Sequence, residues 1–242
     1  MQSNTSIQVF VISLERSTER RKRVEEQLNK TSIAWSFLNA VDGYALPAMP
    51  ESYKPSKVNR LQGYELTPGE VGCYLSHIKA WDFCLDRQKI TLVFEDDFVL
   101  SPRFEAVLGD LMEISPEWDL VRLSGIYKTE DQVLTHRDSY NLVQNLGEPC
   151  GTAAYLLNPR AAQTLLENTS DIYEPVDHYL EHFKKHGVRC LAAKPYPVEL
   201  AHTKSTITDR PGRRPVKGLQ KLMRSIYRFM DRKMSPSPWF PK

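Results

Sequence analysis

The sequence predicts an α/β fold: helices packed on a mostly parallel central sheet, in the manner of a Rossmann-like domain. Three observations carry that expectation. Short apolar runs rich in β-branched residues alternate with stretches of helical periodicity. The helical stretches open on recognisable capping residues. No internal repeat is visible, so the alternation does not belong to a solenoid.

The first apolar run, residues 7–14, reads as a buried strand. A helix follows from Ser17 or Thr18, either of which can cap it, with Val24 and Leu28 turned inward. Residues 33–38 read as a second strand that ends in the turn signal Asp42-Gly43. Residues 44–65 hold three prolines and little periodicity, and are expected to form a long surface loop. Thr67-Pro68-Gly69-Glu70 has the form of a capping box with proline in the first helical position. Its helix should reach about Leu85, with Val71, Leu75, Ile78 and Leu85 on one face. Residues 90–94 form a continuous apolar strand stopped by Glu95-Asp96-Asp97. Strands at 120–123, 152–157, 188–191 and 198–201 then alternate with a helix over 159–167 capped by Asn158 and a helix over 176–186 ended by Gly187.

Composition narrows the class further. Of 242 residues, 41% are hydrophobic and 26% charged, which excludes wholesale disorder. No run approaches the ~18–20 consecutive apolar residues of a membrane span. The polar start followed by a late cationic cluster has the wrong order for a signal peptide. Cys73, Cys84, Cys150 and Cys190 show no CxxC pair, so free thiols in a reducing compartment are expected rather than disulfides or a zinc site. The net charge of +2 hides a split. Residues 210–233 carry nine Lys/Arg against Asp231 alone, which leaves residues 1–209 at −7 once Lys242 is counted. The expected organisation is a catalytic domain over 1–209 and a basic tail over 210–242.

Three successive carboxylates at the end of a buried strand repel one another unless a cation or donors compensate. Ligands of open α/β sheets bind at the carboxyl ends of strands, and hard oxygen ligands suit Mg²⁺ or Mn²⁺ bridging to a diphosphate. Strand alternation aims Glu95 and Asp97 one way and Asp96 the other. On residues alone, a solvated acidic strand–loop junction remains an equal reading.

The wider series of motifs favours the first. Val11-Ile12-Ser13-Leu14 with Arg16 and Arg20 comes first, followed by Ala40-Val41-Asp42-Gly43. Next are Leu66 to His77 (LTPGEVGCYLSH) and Leu92-Val93-Phe94-Glu95-Asp96-Asp97, then Gly151 to Leu157 (GTAAYLL) and Pro175-Val176-Asp177. Over residues 7–207, and most specifically over 67–97, this series resembles glycosyltransferase family 25, the bacterial lipooligosaccharide galactosyltransferases and their relatives. Ser13 stands where that family commonly has asparagine.

The resemblance implies a GT-A type fold, a UDP-sugar donor such as UDP-galactose, a divalent metal (Mn²⁺ or Mg²⁺) and inverting transfer to a lipid-linked oligosaccharide. Asp97 and Glu95 would hold the metal. Asp96 would reach the donor sugar or ribose, and Ser13, Arg16, Arg20 and Asp42 would line the nucleotide. His202 would complete the metal site, and Asp177 would act as general base with Glu174 in reserve. His77, inside the family-like helix, reads as a satisfied half-buried side chain. Asp177 reads equally as an acid favoured by a helix N-terminus.

In the tail, Leu219, Leu222, Met223, Ile226 and Met230 form one helical stripe, and Lys217, Lys221, Arg224 and Arg228 form the opposite one. Such a helix suits an anionic lipid surface; docking on the domain's own core is the alternative. The expectation is a cytoplasmic enzyme, peripheral on the inner face of a bacterial inner membrane, with residues 215–233 as the membrane contact. Rival readings are the same fold with UDP-glucose or a UDP-N-acetylhexosamine, and a non-catalytic lipid- or polyanion-binding protein. The acidic body argues against nucleic acid as a partner.

Overall fold

The computed structural model describes residues 7–201. The basic tail, the boundary at 209/210 and His202 lie outside the described residues. Eight strands form the main sheet: β1 (Gln8–Ser13), β2 (Ser36–Asn39), β3 (Thr91–Glu95), β5 (Leu120–Arg122), β6 (Asp131–His136), β7 (Asn141–Asn145), β8 (Ala154–Leu157) and β9 (Cys190–Lys194). Their order is β2-β1-β3-β8-β5-β9-β7-β6. Parallel pairs join β1 to β2 and β3, and β5 to β9. β8 runs antiparallel to β3 and β5, and β7 runs antiparallel to β9 and β6. Six strands therefore point one way and two the other, giving a mixed sheet that is mostly parallel. The short strands β4 (Phe98–Leu100) and β10 (Val198–Leu200) pair antiparallel beside it.

The described residues form seven α-helices: α1 (Thr18–Leu28), α2 (Pro55–Gln62), α3 (Pro68–Arg87), α4 (Phe104–Glu113), α5 (Pro159–Glu167), α6 (Val176–Glu181) and α7 (Phe183–His186). The period of two along β1 separates two cores. Phe10 and Ile12 pack with Tyr74 and Trp81 of α3, Leu165 of α5 and Tyr179 of α6. Val9 and Val11 join Val24 and Leu28 of α1 and Phe104, Val107 and Leu111 of α4 on the other face. No helix of the described residues is long and apolar enough to cross a membrane. All four cysteines are unpaired thiols.

The capping box forms as expected. Thr67 Oγ1 accepts from Glu70 N (3.2 Å), and Glu70 Oε2 accepts from Thr67 N (2.9 Å). Asn158 caps α5 through Ala161 N. Four expectations need correction. Residues 44–65 are not one loop: a 3-10 turn (Gly43–Ala45) and α2 occupy them, the latter opened by Pro55, ended by Gly63 in the left-handed region and anchored by buried Val58 and Leu61. The inward stripe of α3 is Val71, Tyr74, His77, Trp81 and Cys84, while Leu75, Ile78 and Leu85 are partly buried beside it. An aliphatic count passed over the aromatic and imidazole side chains that face the sheet. The helix expected over 176–186 breaks at His182 into α6 and α7. Strands β4, β6 and β7 and helix α4 were not anticipated; β6 is an edge strand with exposed Val133 and Leu134, so it lacks the one-sided alternation that marks a half-buried strand.

Two glycines let the 41–45 turn lie directly on α3. A Cβ on Gly72 would sit 2.5 Å from Val41 O and 2.6 Å from Gly43 N, and one on Gly43 would sit 1.6 Å from Pro68 O. Ser76 Oγ, donating to Gly72 O, also accepts from Val41 N (2.8 Å) and fastens the same contact. Gly72→Ala should therefore destabilise the protein by about 2–3 kcal/mol in urea unfolding, because the clash is with backbone. Gly109→Ala, at an exposed position of α4 with nothing within 4 Å of the added Cβ, should instead stabilise it by about 1 kcal/mol.

Candidate functional site

The carboxyl ends of β1 and β3 lie side by side, with Ile12 opposite Glu95 and Ser13 opposite Asn39 of β2. Asp96 and Asp97 follow Glu95 in a bend at that edge, and β2 releases the chain into the 40–45 turn. A cavity opens there, roofed by Gly69 and Cys73 of α3 and bordered by exposed Tyr44. Ser13, Arg16, Arg20, Asp42, Glu95, Asp96 and Asp97 all line it. Seven of the nine sequence-derived site residues thus converge from segments up to 84 positions apart. Of the other two, Asp177 does not line the cavity and His202 lies outside the described residues.

Each carboxylate has a different set of partners. Asp96 is held at both oxygens: Ser13 Oγ donates to Oδ2 (2.6 Å) and Arg20 Nη1 to Oδ1 (2.7 Å). Arg20 also stands 3.8 Å from Asp97 Oδ2, so its charge serves the carboxylates from a largely buried position. Glu95 Oε1 accepts from Thr152 Oγ1 and from His77 (3.3 Å to Nε2). Burial raises the Glu95 acid, but His77, Thr152 and Arg20 outweigh that and leave it below the usual carboxylate range. Asp97 receives weaker support, from its own amide and from Arg20 at 3.8 Å. Among the described residues its Oδ1 is buried without a hydrogen-bond partner. Burial and the charges of Glu95 and Asp96, only partly offset by Arg20, push its acid up to about 7. Oxygen donors, crowded negative charge and an orphaned buried carboxylate oxygen fit a hard divalent cation, with Asp97 and Glu95 as its holders.

At the mouth, Arg16 pairs with Asp42, whose other oxygen caps the 3-10 turn at Tyr44 N. The Arg16 side chain is 60% exposed, so it can leave that pair for a phosphate entering the cavity. Burial drives the Cys73 thiol well above its ordinary value, and Glu95, Asp177, Asp97 and Glu70 add to this, which keeps it protonated.

Asp177 stands in the first turn of α6, within electrostatic reach of the Cys73 end of the cavity. Its Oδ2 accepts from Gly151 N (3.3 Å) and its Oδ1 from His178 N (3.0 Å). Glu174, the reserve base, is excluded: it is buried and committed to Lys185 (2.6 Å) and His182 (2.8 Å).

Sequence reasoning missed two features. Arg122, 0% exposed in β5, pairs with Glu181 of α6 (2.5 Å) and donates to Gly151 O and to Asp177 O (3.4 Å). An arginine inside the apolar run Leu120-Val121-Arg122-Leu123 was its only signal, since a buried guanidinium requires a partner. The second is the buried hydrogen-bond series behind Glu95. Trp81 Nε1 lies 2.9 Å from Tyr155 Oη, which lies 2.8 Å from His77 Nδ1.

Residues 6–180 match the family model described as glycosyltransferase family 25 (LPS biosynthesis protein). Procollagen galactosyltransferase 1 of Danio rerio is 30% identical over 232 residues, covering 84% of this chain and 38% of that protein. Procollagen galactosyltransferase 2 of Homo sapiens is 28% identical over 234 residues, 85% of this chain and 36% of that protein. The protein named inactive glycosyltransferase 25 family member 3 of Homo sapiens is 34% identical over 186 residues, 72% of this chain and 31% of that protein. The chain thus spans less than two fifths of the length of these curated relatives. A solved glycosyltransferase involved in glycosylation of the major capsid of PBCV-1 aligns over 92% of this chain and 98% of its own, with 7% identity and a TM-score of 0.44.

Proposed function

The chain belongs to glycosyltransferase family 25, and from that premise we propose that it is a metal-dependent inverting glycosyltransferase that moves galactose from UDP-galactose to a lipooligosaccharide or lipopolysaccharide glycan. Relatives named inactive or probable inactive are among the matches, so activity is read from the site rather than from membership. The observation that carries it is Asp97: a buried carboxylate oxygen with no partner among the described residues, beside Glu95, in a cavity lined by two arginines. The names of the procollagen galactosyltransferases support galactose as the sugar.

In this reading Ser13 and Arg20 hold Asp96 rigidly against the donor's sugar or ribose, and Arg16 exchanges Asp42 for a diphosphate oxygen. A cation held by Asp97 and Glu95 would supply Lewis-acid stabilisation of the leaving diphosphate. Asp177 takes the proton of the acceptor hydroxyl as that oxygen bonds to the anomeric carbon and the bond from this carbon to the diphosphate oxygen breaks, releasing UDP. The Arg122–Glu181 pair and the Gly151 amide fix Asp177 for that role. A contact between residues 215–233 and anionic lipid, on the cytoplasmic face of a bacterial inner membrane, belongs to the same proposal.

UDP release should be fastest from UDP-galactose in a panel with UDP-glucose and UDP-N-acetylglucosamine, and should require added Mn²⁺ or Mg²⁺. Asp97→Ala should abolish it without loss of fold, since the change also relieves charge crowding; near-wild-type turnover would overturn the metal assignment. Asp177→Asn should lower kcat by ~10²–10⁴ with donor binding nearly unchanged. Collapse of donor affinity with turnover retained at saturation would make Asp177 a binding residue instead. Deleting residues from Pro215 onward should leave activity on a small soluble acceptor intact. It should abolish salt-sensitive sedimentation with phosphatidylglycerol vesicles, at about 1 kcal/mol per basic residue lost from the surface. An insoluble truncated protein would assign the stripe from Leu219 to Met230 to the core.

A further inference from the structure

We infer that His77 is a positioning residue for the metal-holding carboxylate Glu95, locked by Tyr155 and Trp81 so that Nε2 carries the hydrogen and donates it to Glu95. This rests on the reading of Glu95 and Asp97 as the cation's holders.

The direction of each bond follows from what each group can do. The Trp81 indole N–H can only donate, so Tyr155 Oη accepts from it (2.9 Å). The phenol is buried, and its one hydrogen must find an acceptor; His77 Nδ1, 2.8 Å away, is the group beside it that can serve. With Nδ1 accepting, the ring hydrogen stands on Nε2, 3.3 Å from Glu95 Oε1. Were Nδ1 to carry a hydrogen instead, the phenol hydrogen would be left buried without a partner. The ring is fully buried and stacks on Tyr155, with centroids 5.7 Å apart, so it cannot swing away. Thr152 Oγ1 donates to the same Oε1. Both donors therefore fall on one oxygen of Glu95, and Oε2 carries neither. The arrangement also argues against His77 as a direct ligand through Nε2, although its ring, Cys73 Sγ and Glu95 bring donor atoms within 4.8 Å of one another. Outer partners of this kind orient a ligand and raise its affinity for the ion.

Two near-isosteric variants separate the roles. The amide nitrogen of glutamine reaches about where Nε2 stands, and that of asparagine about where Nδ1 stands. Mn²⁺ binding to the full chain, followed by calorimetry or by the EPR signal of free Mn²⁺, should weaken only several-fold in His77→Gln, which keeps the donor to Glu95 but loses the acceptor for Tyr155. It should be roughly 10–100-fold weaker in His77→Asn, with thermal unfolding similar in the two. Tyr155→Phe, which deletes only the hydroxyl, should weaken Mn²⁺ several-fold. Equal Mn²⁺ affinity in His77→Asn and His77→Gln overturns the inference. Should His77→Asn fail to fold, unchanged affinity in Tyr155→Phe overturns it. Asp97→Ala distinguishes the premise: if it binds Mn²⁺ like wild type, the metal reading itself fails. If it binds weakly while His77→Asn does not, only the role of His77 fails.

Discussion

Negative charge crowded at the end of a buried strand is the constraint around which this end of the molecule is organised. Two like charges about 4 Å apart repel by roughly 4 kcal/mol at the effective dielectric of a protein edge, and Glu95, Asp96 and Asp97 stand in sequence. The fold answers each one differently. Asp96 receives a serine hydroxyl and a guanidinium, Glu95 receives a threonine hydroxyl and an imidazole, and Asp97 is left with an oxygen unpartnered among the described residues. Two carboxylates are thereby fixed in place. The third keeps its electrostatic strain, and that strain is what a divalent cation would relieve.

α3 connects this edge to the rest of the protein. Its capping box fixes where the helix begins, and Gly72 lets the 41–45 turn close against it. Its inward stripe then carries His77 to Glu95 and Trp81 to Tyr155 in the same register that fills the core. The polar series behind Glu95 is fully buried, so each member holds its neighbours in one arrangement. A core layer and the supporting layer of the site are here the same side chains.

The other side of the site depends on a single interior ion pair. Burial alone would lower the affinity of the Arg122 guanidinium for its proton, and Glu181 together with Cys190, Tyr196 and Asp177 more than reverses that. Such a pair contributes little net stability compared with apolar packing, but losing one partner strands a buried charge. What it provides is geometry: β5, the Gly151 carbonyl and the first turn of α6 meet at one guanidinium, and Asp177 is placed by that meeting.

Local chemistry made much of the architecture legible. Thr67-Pro68-Gly69-Glu70 and Asn158-Pro159 announce helix starts because capping satisfies amides within three residues of the cap. The acidic triplet after an apolar strand places a charged edge by the same short-range logic. α2 had its signals too, Pro55 at its first position and Gly63 after its last, but its eight residues bury only Val58 and Leu61, too short an apolar stripe to outweigh the nearby prolines. The partners of the carboxylates were not legible. Arg20 and Asp96 are 76 positions apart, His77 and Tyr155 are 78 apart, and Arg122 and Glu181 belong to different layers. The residue types of the site are thus written in the chain. Which carboxylate is satisfied and which is left open depends on strand order and helix register, because hydrogen bonds and desolvation act over a few ångströms of space and not along the sequence.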